Sequence, residues 1–175
     1  MKIKTLALTA AIAATGLFAT SASAADGTIT FTGNITSSTC SIDGNGSGTA
    51  SFTVSLPKVG TSAFSTSSKY AGRTPFSINL TGCTATGTVQ AYFEPGANVN
   101  ASGRLSNTGG ATGVDLQLLN DSQTAIDLNS QSGTTTATIS SNAATLNYYV
   151  EYYSSTGTVG AGSVSSTVDY TIKYQ

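Results

Sequence analysis

The chain has 175 residues, with seven Lys and Arg, eight Asp and Glu and no His, so its formal net charge is −1 at pH 7. The basic residues beyond the first four positions are scattered, whereas nucleic acid and anionic membranes require clustered positive charge. We therefore predict no nucleic-acid partner. The few charges and many Ser, Thr, Gly and Asn residues suit an exported protein. The scattered basic residues are Lys58, Lys69, Arg73, Arg104 and Lys173.

Residues 1–24 have the pattern of a secretory signal peptide. Lys2 and Lys4 precede an apolar run over residues 6–19, and small residues at 22–24 offer a cleavage site after Ala24. The apolar run is short and no stop-transfer pattern follows it, so we do not expect a retained transmembrane helix. The mature chain of about 151 residues is typical of one domain with a single core.

Cys40 and Cys83 are the two cysteines of the chain. Exported proteins fold in an oxidising compartment. We therefore predict that these two cysteines form one structural disulfide. In the chain-entropy model, closing a loop of about 44 residues contributes roughly 4 kcal/mol to the free energy of unfolding.

Past residue 24, almost every periodic segment alternates with period two, and Gly, Asn, Ser or Pro separates one segment from the next. Residues 96–113 are rich in Gly and Asn and read as a loop or a weak strand. No helical stripe is present, so the pattern predicts an antiparallel β-sandwich. The candidate strands are residues 28–35, 50–56, 76–83, 88–94, 113–119, 135–140, 144–153 and 167–175.

No catalytic, metal or cofactor site is predicted. The chain has no histidine, which is the commonest general base and metal ligand, and its carboxylates are spread singly. The stretch "DGNGSG" at residues 43–48 imitates the start of a calcium loop, but Val54 stands where the bidentate glutamate is required. We therefore predict that the protein is not an enzyme.

The main aromatic cluster is "NYYVEYY" at residues 147–153. Period two places Tyr148 and Tyr152 on one face, which we assign to the core, and Tyr149 and Tyr153 on the other. The outward tyrosines suit either cross-strand packing or the binding of a sugar or a partner protein. A monomeric secreted carbohydrate-binding module is therefore the alternative function.

Both ends of the mature chain carry an apolar row that needs a covering neighbour. At the C-terminus the row reaches the final residues, and we expect no later strand to cover it. At the N-terminus the row begins almost at the first mature residue. The first row is Gly27, Ile29, Phe31, Gly33 and Ile35, and the second is Val168, Tyr170, Ile172 and Tyr174.

Over nearly its whole length, the chain resembles the pilin subunits of the chaperone-usher pathway, in particular the type 1 fimbrial major subunits. The resemblance rests on the extension "ITFTGNI" with its central glycine and on Cys40, about 15 residues into the mature chain. "FSINLTGC", which carries Cys83, and the ending "YTIKYQ" with penultimate Tyr174 complete it.

The resemblance implies an incomplete immunoglobulin-like β-sandwich that lacks its C-terminal strand. Residues 25–36 form an N-terminal extension, the donor strand, which follows the signal peptide, and residues 37–175 form the pilin domain. The missing strand leaves an acceptor groove beside the row from Val168 to Tyr174. The donor row of the next subunit fills that groove.

The resemblance also implies partners and a location. A periplasmic chaperone lends a strand and holds the carboxylate of Gln175, and an outer-membrane usher exchanges that strand for the next subunit's extension. The result is a head-to-tail homopolymer, an extracellular fimbria that supports cell adhesion. An adaptor or a subunit that terminates the fibre fits the same length.

Overall fold

The structure is a computed structural model, and it describes residues 29–33, 35, 40–66 and 69–175. The chain divides into two compact units, Met1–Ile35 and Thr36–Gln175. The predicted signal peptide and Gly27 lie outside the described residues. In the first unit, residues 29–33 and 35 have no regular secondary structure. Among the described residues, no helix is long and apolar enough to span a bilayer.

The described part of the second unit consists of antiparallel β-strands, with one three-residue 3-10 turn at Thr61–Ala63. In chain order the strands are β1 (Ser41–Gly44), β2 (Tyr70–Thr81), β3 (Thr88–Phe93), β4 (Leu105–Ser106), β5 (Asp115–Asn120), β6 (Ala137–Thr138), β7 (Ala144–Tyr153) and β8 (Tyr170–Tyr174).

The larger sheet has five strands in the order β1-β2-β7-β5-β4. Its centre is β7, which is paired on both edges, to β2 and to β5. The alternation of β7 is that of a strand with one face in the core, since Leu146, Tyr148 and Val150 are buried while Thr145 and Asn147 are exposed.

The smaller sheet has three strands in the order β6-β3-β8. β8 pairs with β3, from Val89 opposite Tyr174 to Phe93 opposite Tyr170. β8 is therefore an edge strand of this sheet.

The core lies between the two sheets. The Tyr148 ring of β7 lies 5.2 Å, centroid to centroid, from Phe93 of β3 and 5.5 Å from Phe76 of β2. Ile78, Leu80 and other core side chains are fully buried. This packing confirms the predicted antiparallel β-sandwich.

The predicted disulfide joins Cys40 to Cys83, with 4.2 Å between the two Cα atoms. It ties the residue that precedes β1 to the chain just beyond β2. It thereby anchors the point at which the second unit enters its sheet.

Several strand boundaries differ from the sequence prediction. β2 begins at Tyr70 rather than at residue 76. A bulge between Ala71 and Thr74, with Gly72 at φ +67°, interrupts the alternation, and the residues before the bulge still pair with β7. β1 was not predicted, since "SIDG" does not alternate. β6 is shortened to two residues, and the weak strand expected within residues 96–113 is β4.

Two predicted strands are absent from the described residues. Residues 50–56 run without ladder partners, and the described part of 28–35 forms no strand. A strand is defined by backbone bonds to a neighbour, and neither segment has such a neighbour in the part of the chain that the structure describes.

Candidate functional site

An open groove of about 510 Å³ runs along one side of the sandwich. One wall is the segment 50–56, called here the wall segment. The other is residues 166–170, which belong to a longer stretch, residues 163–175, called here the edge segment. Core side chains form the floor, among them Phe76, Ile78, Phe93, Leu105, Leu116, Leu118 and Val150.

The wall segment turns apolar side chains toward the groove. Phe52, Val54 and Leu56 are half-buried and line it, while the intervening Ser51, Thr53 and Ser55 are exposed. Between Phe52 and Leu56, no backbone N–H or C=O has a hydrogen-bond partner among the described residues. The wall segment therefore has the alternation of a strand, with its backbone groups from Phe52 to Leu56 left unpaired.

Tyrosine hydroxyls hold the wall segment near its two ends. The Tyr170 hydroxyl donates to the Ala50 carbonyl oxygen at 2.7 Å, and the Tyr152 hydroxyl donates to the Pro57 carbonyl oxygen at 3.2 Å. Burial raises the pKa of both Tyr152 and Tyr170, which keeps these donors protonated. The Phe52 ring adds an edge contact at 6.4 Å from the Tyr170 ring. Side chains, rather than a backbone ladder, position this wall.

The edge segment alternates throughout residues 163–175, with the even-numbered residues half-buried and the odd-numbered ones exposed. Its odd-numbered backbone groups bond away from the groove, since the Ser165 carbonyl accepts from Thr108 N–H and the Asp169 carbonyl from Glu94 N–H, each at 2.8 Å. Among the described residues, the backbone groups of Val164, Ser166 and Val168 have no partner. The groove thus lies between two unpaired backbone edges.

The predicted acceptor residues divide into two sets. Val168 and Tyr170 line the groove, while Ile172 and Tyr174 continue the same row beyond it and pack against the core. The Tyr174 hydroxyl accepts from the Cys40 backbone N–H at 3.1 Å, close to the disulfide.

Gln175 exchanges two backbone hydrogen bonds with Thr88, of 2.8 and 3.0 Å. Its side chain is exposed. The end of the edge segment is therefore fixed to β3, on the side away from the groove.

Sequence reasoning missed part of the groove. The alternation of "ASFTVSL" was visible, but it predicted an ordinary paired strand instead of a groove wall. Ser166, which lines the groove, escaped notice because "GSVSSTV" is mostly polar. The sequence offered one signal of burial in this stretch, a row of apolar residues within a mostly polar segment.

The predicted donor residues lie in the first unit. Among those described, the apolar side chains are exposed, with Phe31 88% accessible and Ile29 78% accessible. Gly33 has open space around it, with no atom within 4 Å of the position that a Cβ would take. This stretch therefore presents its predicted apolar row to solvent.

The outward tyrosines of β7 make contacts within the protein. The guanidinium carbon of Arg104 lies 4.2 Å from the centroid of the Tyr153 ring, and Arg104 also pairs with Asp115 at 3.3 Å. Tyr149 is half-buried and pairs across the sheet with Pro75 and Leu119. These contacts favour cross-strand packing over a sugar-binding platform.

The neighbouring position Glu151 is 1% exposed and pairs with Arg73 at 2.8 Å. The Gln117 amide also donates to it, at 3.2 Å. Within the part of the chain that the structure describes, no group of acidic or cysteine side chains could hold a metal ion.

The sequence profile of the family described as "Fimbrial protein" matches residues 29–175, which includes the first apolar row from Ile29 onward, both cysteines and the edge segment. The chain belongs to the fimbrial protein family. The major fimbrial subunit SMF-1 of Stenotrophomonas maltophilia is 43% identical over 87% of this chain and 95% of its own length. The F17 fimbrial protein of Escherichia coli is 42% identical over 91% and 96%.

Solved structures share the fold. The P pilus rod subunit PapA aligns over 78% of this chain and 99% of its own, with a TM-score of 0.61 at 20% identity. A chaperone-usher pilus subunit aligns over 86% and 96%, with a TM-score of 0.62 at 21% identity. These pilins have an immunoglobulin-like fold. The chain is thus a structural subunit of a fimbria, an extracellular appendage, and not an enzyme.

Proposed function

We propose that the groove accepts the N-terminal extension, residues 25–36, of a second copy of this chain, and that repetition of this contact builds the fimbria. The observation that carries the proposal is the pair of unpaired backbone edges on either side of an apolar floor. An added strand satisfies both edges at once, which is the chemistry of recognition by β-strand addition.

The donor row suits an apolar groove. Burying Ile29, Phe31 and Ile35 contributes roughly 1.5 to 3 kcal/mol each, so about 5 to 9 kcal/mol in total. Backbone hydrogen bonds to the two walls add to this. Gly33 weakens an isolated strand, so its place in the middle of the row suggests a point where the groove leaves no room for a side chain.

The contact is head-to-tail. Each copy offers a groove on the second unit and a donor strand ahead of it, so one copy can accept a strand and donate another. A heterologous contact of this kind produces an open filament when its rotation does not close. We assign the chain to the repeating subunit of a fimbrial shaft. The major fimbrial subunit named among its relatives supports this assignment.

The same groove explains a need for a chaperone. An apolar groove left open between two unpaired edges promotes aggregation. A periplasmic chaperone covers it by lending a strand, with cationic side chains on the Gln175 carboxylate, and an outer-membrane usher then exchanges that strand for the next subunit's extension. Periplasmic transit follows from the signal peptide at residues 1–24. The pilin domain then begins at residue 37.

The decisive experiment supplies the donor strand as a peptide. A mature chain that starts at Ser37 is refolded with and without a synthetic peptide of residues 25–38, and its thermal midpoint is measured. We expect the peptide to raise the midpoint by tens of degrees. The same peptide with Phe31→Ala should lose much of that gain, whereas a control peptide with the outward change Thr30→Ala should keep it.

A truncated chain that is monomeric and equally stable without peptide would refute the proposal. In that case the sandwich closes on itself. The secreted carbohydrate-binding module would then be the function to test.

A further inference from the structure

A tight turn follows β1 and leads toward the wall segment. The Ser47 N–H donates to the Gly44 carbonyl oxygen at 3.0 Å, and the two residues between them have positive φ, 53° at Asn45 and 74° at Gly46. These are the features of a type I′ turn, for which Asn-Gly is a preferred pair. The turn therefore explains why this pair stands here. It also exposes both residues to solvent.

Asparagine followed by glycine is a chemically reactive pair. The backbone nitrogen of the second residue can attack the side-chain carbonyl carbon of the first, and glycine has no Cβ to hinder that attack. Asn45 is the only asparagine in the chain that precedes a glycine. Among the described residues, neither its side chain nor the Gly46 N–H has a hydrogen-bond partner. Both reacting groups are therefore free.

Asn142 is a matched comparison within the same chain. It is exposed, and its φ of 61° is close to that of Asn45. The residue after it is Ala143, whose Cβ hinders the attack and whose N–H donates to the Ser140 carbonyl oxygen at 3.0 Å. The nitrogen that would attack Asn142 is thus already engaged. The two turns differ in the attacking nitrogen rather than in the exposure of the asparagine.

The neighbouring pair Asp43–Gly44 has related chemistry, since an aspartate can close the same kind of ring. Its groups are engaged, however. The Gly44 N–H donates to the Thr49 carbonyl oxygen at 2.8 Å, and the Gly48 N–H donates to Asp43 Oδ1 at 2.7 Å. Asn45 is therefore the reactive position of this turn.

We propose that Asn45 is a deamidation site of this subunit, and that its product loosens the wall segment. The Gly46 nitrogen bonds to Asn45 Cγ and the bond from Cγ to Nδ2 breaks. The amide group leaves as ammonia with the Gly46 proton, and a succinimide ring remains. Water then opens the ring at one of its two carbonyl carbons, which gives isoaspartate or aspartate. One water is consumed, one ammonia is released, and a carboxylate replaces the amide.

The turn supports the first apolar side chain of the wall segment. Gly44 lies directly against the Phe52 ring, so a Cβ at Gly44 would collide with that ring. The Asn45 N–H donates to the Ser77 carbonyl oxygen of β2 at 2.7 Å. Isoaspartate lengthens the main chain by one methylene between this anchor and the Ser47 bond that closes the turn. The product should therefore free the Phe52 ring and loosen the wall segment.

Peptide mass mapping of the purified mature chain, incubated in mildly alkaline buffer, measures the modification. We expect Asn45 to deamidate at least about tenfold faster than Asn142, whose attacking nitrogen must first leave its hydrogen bond. Deamidation changes the peptide mass, whereas isomerisation of Asp43 does not, so the two reactions are told apart. Equal rates at the two asparagines, or a faster reaction at Asn142, would overturn the assignment.

NMR tests the effect on the wall segment. Nuclear Overhauser contacts between the Phe52 ring and the α-protons of Gly44 should weaken in aged wild-type chain. The matched control is Asn45→Gly, which removes the amide and keeps a residue that adopts positive φ readily, so its contacts should survive ageing. Contacts that persist in fully converted wild-type chain would overturn the loosening.

A third measurement rests on the proposed function. Fibres assembled from aged wild-type chain should depolymerise at a lower guanidinium midpoint than fibres assembled from fresh chain, whereas ageing of Asn45→Gly should leave the midpoint unchanged. Equal midpoints for aged and fresh wild type would overturn an effect on the groove. Fresh wild-type chain that forms no fibres would instead refute the proposed function, and the mass and NMR results would still decide the modification.

Discussion

Strand β7 and the wall segment have the same two-residue alternation but opposite environments. β7 is paired on both edges and lies at the centre of the larger sheet. The wall segment has no ladder partner among the described residues, although Phe52, Val54 and Leu56 pack against the same core. Alternation selects which face is buried, whereas pairing depends on a neighbour. In the proposed assembly, the wall segment receives this neighbour from another molecule.

The largest expected effect is the loss of assembly in Gly33→Leu. In the proposed assembly Gly33 faces the groove, and a leucine there adds a large side chain where the donor row has none, so the wall segment should stay unpaired. Electron microscopy of the surface of expressing cells should show no fibres. The amount and the unfolding of the unassembled subunit should match those of the unmodified chain. Abundant normal fibres would refute the placement of Gly33 in the groove.

A matched pair of core truncations separates the two regions. Leu146→Ala in β7 should lower the free energy of unfolding of the unassembled subunit by about 2 to 5 kcal/mol, because it leaves a cavity in a fully formed core. Val54→Ala should change that quantity by less than about 1 kcal/mol, because the wall is complete only in the fibre. Urea unfolding of the subunit measures both. Equal losses would mean that the wall segment is already part of the closed fold.

Tyr148 gives a prediction for alkaline pH. Burial raises its pKa to about 12, from an ordinary value near 10. The folded subunit therefore holds this proton more tightly than the unfolded chain does. Stability should be complete below pH 10 and fall as pH rises from about 10 to 12, by roughly 2 to 3 kcal/mol in all.

Tyr148→Phe should flatten that decline in unfolding experiments between pH 9 and 12. The matched control is Tyr70→Phe, which removes the hydroxyl of an exposed tyrosine in the same sheet. A decline equally steep in Tyr148→Phe would assign the titration to other groups.

The smallest effect is expected for the hydroxyl that holds the wall segment. Tyr170→Phe keeps the ring and removes the hydrogen bond to the Ala50 carbonyl, so it should cost about 1 kcal/mol. Hydrogen exchange should show the larger change in residues 50–56 and little change in β7. Uniform acceleration in both regions would contradict a local role for this hydroxyl.

The sequence predicted the boundaries of some strands closely and missed other strands. It placed β7 at residues 144–153 exactly as observed and β3 within one residue, because both strands bury one face in a strict alternation. It also paired Cys40 with Cys83. It missed β1 and the early part of β2, where a bulge and the residues "SIDG" break the alternation. It also treated residues 50–56 as an ordinary strand.

The candidate site was predicted unevenly for the same reason. The apolar alternation from Val168 to Tyr174 can be recognised in the sequence, and two residues of this row line the groove. Ser166 is not visible, because a serine among serines carries no signal of burial. The burial of its hydroxyl depends on the surrounding atoms, which only the folded structure specifies.

The sequence by itself determined which side chains of each strand turn inward. It also determined which two cysteines are available for a disulfide, and that apolar rows at both ends need a covering neighbour. These follow from local periodicity and composition. Tertiary structure alone decided the neighbours, namely that β8 pairs on one edge, that tyrosine hydroxyls hold the wall segment, and that a groove remains between the two. Pairing joins residues as far apart in the sequence as Val89 and Tyr174. No local pattern specifies which edge is left without a partner.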